Sequence, residues 1–386
     1  MYQRNVADLS TILGNFKLDG MYIRYNSFVP KLYNLCMKLG FKRGKIMPSR
    51  AFCSDENQGF PVILITKHFG TFPFNHGMVG GVIDTTRHGP HAHHANDLVI
   101  IHASHVGYDP KKNTYGTYRR IQTERGQETQ TCGKLHRMLS PYIREFEFAQ
   151  NRIFLQKDND EYLISIDNSF LDLKKEEGLF LDLDNLIDKR GESSIMPVRV
   201  FSTSKVYRLS NFVKDRLGKK YVWKNGVRER IGANLLPEFF YFKRKTDVRV
   251  EGKDHIENNL IVAMPLIVTS PYPTLAAAMV NTQEEFDRTY RTIFQNPEYR
   301  NKKILFISGL NVDISPEESQ TFPLTKFVPW AAYHQDSNGP SHVYEQPEIF
   351  KMLMEQSDEN TDQIDFEAAI AQAQLHREIV IADPFH

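Results

Sequence analysis

An α/β protein is the fold class this sequence predicts: a sheet flanked by helices, with a further α+β region towards the C-terminus. Three observations predict it. Leu98-Val99-Ile100-Ile101 is an unbroken run of strand formers, and a strand without polar alternation belongs in a sheet covered on both faces. Two more apolar runs, at 259–269 and 303–309, read as buried strands far along the chain. Around them lie stretches whose apolar residues recur every three or four positions, the spacing of amphipathic helices.

In chain order, residues 1–48 read as a helical lead-in. Leu32, Leu35, Cys36 and Leu39 recur at helical spacing, and Gly40 supplies a stop. Cys36 falls on that apolar face and reads as a small buried hydrophobe. The short run Pro61–Ile65 is strand-like or the start of a buried segment. Residues 70–81 are too rich in glycine for a helix interior and suit a loop that brings backbone close to a site. The strand at 98–102 ends in a small-residue turn, Ala103–Gly107, which places His105 just past its carboxyl end. In open α/β sheets, ligands gather there. Residues 109–130 are polar and read as a hairpin or exposed loop, followed by a helix from Leu135 to about Gln150.

Beyond residue 150 the strand-like segments are 152–156, 161–167, 197–202 and 247–250. Segments 283–294 and 364–375 read as amphipathic helices, and 329–348, with its prolines and Gly339, reads as loop. The expected organisation is a lead-in over 1–48 and a core over 49–195 that carries the chemistry. Residues 196–386 then complete the fold or form a second domain.

Composition removes several function classes. With 48 basic and 47 acidic residues the net charge is +1, which leaves no electrostatic footprint for nucleic acid. No stretch approaches the ~18 consecutive apolar residues of a membrane helix. Three cysteines in 386 residues make no disulfide framework. The first residues lack the charged start and apolar run of a secretory signal. The expected compartment is the cytoplasm.

The chemistry is concentrated in one stretch. Nine of the fourteen histidines and two of the three cysteines fall between Cys53 and His136. Thiolate and imidazole are the ligands zinc prefers, and three protein ligands leave one position open. Cys53, one histidine and Cys132 would supply such a set, although no compact Cys-x-x-Cys or His-Glu-x-x-His motif is present. Asp55, two residues from Cys53, is placed to accept a hydrogen bond from zinc-bound water.

This Cys-x-Asp, followed by a distant His and a Cys-Gly, resembles the beta-type carbonic anhydrases. It is most similar to a divergent branch, the limiting-CO2-inducible B/C proteins, also called theta carbonic anhydrases. The similar patches are Cys53-Ser54-Asp55-Glu56, Gly80-Gly81-Val82, Ala92-His93-His94, His105-Val106-Gly107, Arg125-Gly126-Gln127 and Cys132-Gly133. They stand in the family's order over roughly residues 45–150. The resemblance implies a beta-carbonic-anhydrase-like sheet flanked by helices. It also implies Zn2+ held by Cys53, His105 and Cys132, with Asp55 orienting water and an arginine paired to Asp55. The zinc hydroxide so formed would hydrate carbon dioxide to bicarbonate, in a homodimer. His94 is the alternative to His105 as ligand. Asn57 stands where the beta-type motif has its arginine, so Arg125 is the first candidate for the partner of Asp55, with Arg87 and Arg137 as alternatives. His102, inside the strand, reads as a hydrogen-bonded core histidine. The functional alternative is a catalytically inactive binding or assembly module. A zinc deaminase is disfavoured, because its His-x-Glu and Pro-Cys-x-x-Cys signature is absent.

Overall fold

The structure is a computed structural model. It describes residues 9–83, 97–119, 128–171, 176–189, 195–244, 255–317, 320 and 324–375. The chain is a mixed α/β protein with a central mixed sheet flanked by helices. It divides into two compact units, Met1–Phe16 with Ser104–Glu285, and Lys17–Ala103 with Phe286–His386. The division between Ala103 and Ser104 passes through a continuous strand.

The main strands of the central sheet are β1 (Ile46–Phe52), β2 (Asp97–Asp109), β3 (Lys303–Ile314) and β4 (Leu324–Gln335). Their order runs Ile23–Arg24, β4, β3, β2, β1, Phe74–Asn75. β1 and β2 are parallel, with Phe52 opposite Ala103, whereas β3 and β4 are antiparallel. Successive side chains of a strand point to opposite faces, and β2 buries both. Val99, Ile101 and Ala103 join one apolar cluster with Phe28, Leu32, Leu35, Leu64 and Ile65. Leu98 and Ile100 join another with Phe286, Ile293 and Phe306. The first cluster draws on helices α1 (Tyr25–Lys38) and α2 (Gly59–Phe69). Helix α3 (Gly133–Gln150) follows Cys132, and α4 (Pro273–Gln295) supplies Phe286 and Ile293. The other unit holds a five-stranded antiparallel sheet, in the order 199–200, 204–208, 161–167, 153–158, 228–230.

Several elements differ from the sequence expectation. The run Pro61–Ile65 lies inside helix α2, which buries Pro61, Leu64, Ile65 and His68 at helical spacing and ends on left-handed Gly70. Residues 259–269 are not a strand but parts of two short helices, His255–Leu260 and Met264–Thr269. Residues 329–348 are mostly regular: β4, the strand Ser341–Glu345 and the helix Gln346–Met354. Pro329 is accommodated in β4 because the register with β3 shifts between Ser308 and Gly309, and such irregularities tolerate a residue that cannot donate. β2 does not stop at His102 but continues to Asp109, so His105 lies within the strand. The strand expected at 247–250 lies outside the described residues.

Candidate metal centre

Because β2 outruns its parallel neighbour, residues past Ala103 extend beyond the end of β1. Cys53 is the first residue after β1, and His105 stands two residues past the last β1–β2 pair. His105 is therefore inside β2, not past its carboxyl end as expected, but it lies beyond the end of β1. Cys132 is brought in by short antiparallel links. Gly107 donates its N–H to the Thr131 carbonyl at 3.3 Å, and Thr131 donates to the Gly116 carbonyl at 3.1 Å. Gly107 has to be glycine here, since a Cβ would stand 2.5 Å from the Thr117 carbonyl oxygen.

One donor atom from each of Cys53, His105 and Cys132 lies within 4.8 Å of the others, and all three residues are buried. Both sulfurs have backbone dipoles beside them. Cys53 Sγ accepts the backbone N–H of Gly80 at 3.1 Å, and hydrogen bonds to a ligating group orient it. Cys132 is the residue on which α3 begins, at the positive end of the helix, where negative charge is favoured. Two buried soft sulfurs and an imidazole this close together could hold a metal ion.

The glycine segment that delivers this amide is a hairpin between Gly77–Met78 and Val82–Ile83. Gly80 and Gly81 both have positive φ, +92° and +73°, and the Gly81 N–H closes the turn on the Met78 carbonyl at 3.1 Å. Most other L-residues would be strained there. The sequence expectation of a glycine loop bringing backbone to a site matches this contact.

Asp55 is half-buried and precedes a one-turn 3-10 helix, Glu56–Gln58. Its carbonyl accepts the Gln58 N–H at 3.0 Å. The turn is anchored from below by a polar network that sequence reasoning missed. Gln58 Nε2 donates to both carboxylate oxygens of buried Asp313, at 3.1 and 2.9 Å. Asn311 donates to Gln58 Oε1 at 2.6 Å, and Tyr25 donates to Asn311 at 2.7 Å. The signal available in the sequence was the pair Asn311 and Asp313 at alternate positions of an otherwise apolar strand.

His102 is fully buried and hydrogen-bonded, as expected of a core histidine. Arg137 lies on the exposed side of α3. Arg125, Arg87, His88, His91, His93 and His94 lie outside the described residues.

No family model matches the chain, and no curated protein matches it in sequence. Some solved structures are similar to it at low identity. One is the crystal structure of PtLCIB4, a homolog of the limiting CO2-inducible protein LCIB. It has a TM-score of 0.49 and 10% identity, over 84% of this chain and 95% of that one. Another is the crystal structure of the limiting CO2-inducible protein LCIB, with a TM-score of 0.43 and 12% identity, over 87% of this chain and 99% of that one. No helix among the described residues is long and apolar enough to cross a membrane.

Proposed function

We propose that this protein is a zinc enzyme for the reversible hydration of carbon dioxide to bicarbonate, with Cys53, His105 and Cys132 holding the metal. The observation that carries the reading is the convergence of these three donor atoms within 4.8 Å, from positions 27 to 79 residues apart that motif order had already singled out. Zinc bound there supplies Lewis acidity, which brings the ionisation of water towards neutral pH. Cys53 and Cys132 bring two negative charges to the ion. The Gly80 amide and the start of α3 spread part of that charge over backbone dipoles. Asp55 would accept a hydrogen bond from a water held at the metal position and so orient it towards the substrate, and Arg125 is proposed to hold Asp55 in that role. The expected assembly is a cytoplasmic homodimer.

Two thiolates cancel the metal's +2 charge, whereas three imidazoles would leave it intact. Hydration activity is therefore expected to rise towards alkaline pH. The test is metal analysis combined with carbon dioxide hydration assays on wild type and Cys53→Ala. One zinc per chain and hydration that disappears in the variant are expected. Stoichiometric zinc without hydration by wild type would replace the enzyme reading with that of an inactive binding module. Asn57, buried where the beta-type motif has arginine, is the feature that favours this second reading.

A further inference from the structure

Among the buried titratable groups near the centre, His102 has no part in the proposed chemistry. It points to the opposite face of β2 from His105, three residues on. Its Nε2 is 2.8 Å from the Gly81 carbonyl oxygen and its Nδ1 is 2.7 Å from Ser308 Oγ. A carbonyl oxygen only accepts, so Nε2 carries a proton and donates to Gly81, while Nδ1 is hydrogen-bonded to the Ser308 hydroxyl. The imidazole thus bridges β3 to the glycine hairpin.

The hairpin needs such a bridge. Gly80 and Gly81 permit the left-handed turn but leave it with the largest conformational freedom any residue pair has. Yet this turn must present one N–H to one sulfur. Hydrogen bonds join Ser308 with His102, His102 to the Gly81 carbonyl, and, across the covalent backbone of the turn, the Gly80 N–H to Cys53 Sγ. We propose that His102 is a positioning residue for the metal centre, gripping the Gly81 carbonyl so that the Gly80 amide stays on the Cys53 sulfur. The inference rests on the reading of Cys53 as a metal ligand. It assigns a function to a histidine that sequence alone gives only to the core.

Two substitutions separate the halves of the bridge. His102→Gln places an amide nitrogen where Nε2 stood and keeps the donor to Gly81. His102→Asn reaches only the Nδ1 position and loses that donor. In the metal-free full-length protein, hydrogen–deuterium exchange over residues 78–83 should be about tenfold faster for the Gly80 amide in the Asn variant and little changed in the Gln variant. In the cobalt(II)-loaded protein, the thiolate-to-cobalt absorption should shift and metal affinity fall roughly 10- to 100-fold in the Asn variant alone, the usual scale for groups supporting a ligand. Equal behaviour of two folded variants in both measurements would overturn the proposal. If wild type takes up no cobalt, the proposed function fails, and the exchange measurement on metal-free protein still decides whether His102 holds the amide. If the Asn variant does not fold, Ser308→Ala loosens the bridge from its far end. A smaller change of the same kind is then expected, and unchanged exchange and absorption would overturn the proposal.

Discussion

The three cysteines occupy two kinds of surroundings. Cys36 sits on α1 within the apolar cluster of Leu32, Leu35 and Ile46, and burial there pushes its thiol far above the ordinary range. Cys53 and Cys132 are just as buried, yet one receives a backbone N–H and the other stands at a helix start. Burial in an apolar cluster keeps a sulfur protonated and inert, whereas oriented backbone dipoles beside a buried sulfur suit the ligand role proposed for Cys53 and Cys132. Accessibility alone would not separate them; the polar groups brought to the sulfur do.

The sharpest way to break this contrast is to truncate each thiol. Cys53→Ala and Cys132→Ala should each lower metal affinity by at least about 100-fold, exceeding the cost of losing a supporting group. Cys36→Ala should retain one metal per chain. Chelator competition measures both. Equal metal loss in all three variants would erase the distinction.

A second test reaches the hairpin beside Cys53 without touching a ligand. A Cβ on Gly77 would collide with the Phe52 carbonyl oxygen, backbone that cannot yield as a flexible side chain would. Gly77→Ala is expected to cost about 3 kcal/mol in urea unfolding and to weaken metal binding with it. The corresponding cost of Cys36→Ala is about 1 kcal/mol, with metal binding unaffected.

Between these in size stands a pH effect in the same unit as Cys36, remote in role from the centre. Burial lowers the pKa of His68 from 6.5 to about 4. Asn360 Nδ2 donates to its Nδ1 at 3.2 Å, and the Asn360 oxygen is engaged by the Asp362 N–H, so the imidazole is held neutral. The unfolded chain binds this proton more readily than the folded one, so stability is complete above pH 6.5 and declines as pH falls towards 4. The loss should be on the order of 2 kcal/mol. It should shrink in His68→Gln, as read from urea midpoints at pH 7 and pH 4.5. An unchanged slope would show that His68 is not held neutral.

Legibility differed between these regions for physical reasons. β2 was legible because both of its faces are buried, leaving Leu98–Ile101 without polar interruption. The same kind of run misleads at 61–65 and 259–269. There the helical signal lies in the wider spacing, Pro61, Leu64 or Ile65, His68 in one case and Ile256, Leu260, Met264, Ile267 in the other. The segment 329–348 hid its strands behind prolines that a register shift and a turn accommodate. The spatial grouping of Cys53, His105 and Cys132 was legible from motif order. The amide of Gly80, the His102 bridge and the Asp313–Gln58 network were not, because each depends on contacts across long stretches of sequence. Asp55 is described as half-buried at the start of its turn, and its pairing with Arg125 stands as a proposal.

X-ray absorption at the zinc edge of the purified protein tests the central claim most directly. The expected result is one zinc per chain with two sulfur neighbours and one imidazole nitrogen, falling to one sulfur or to no zinc in Cys53→Ala. Zinc without sulfur neighbours, or protein purified under reducing conditions that takes up no metal, would contradict it.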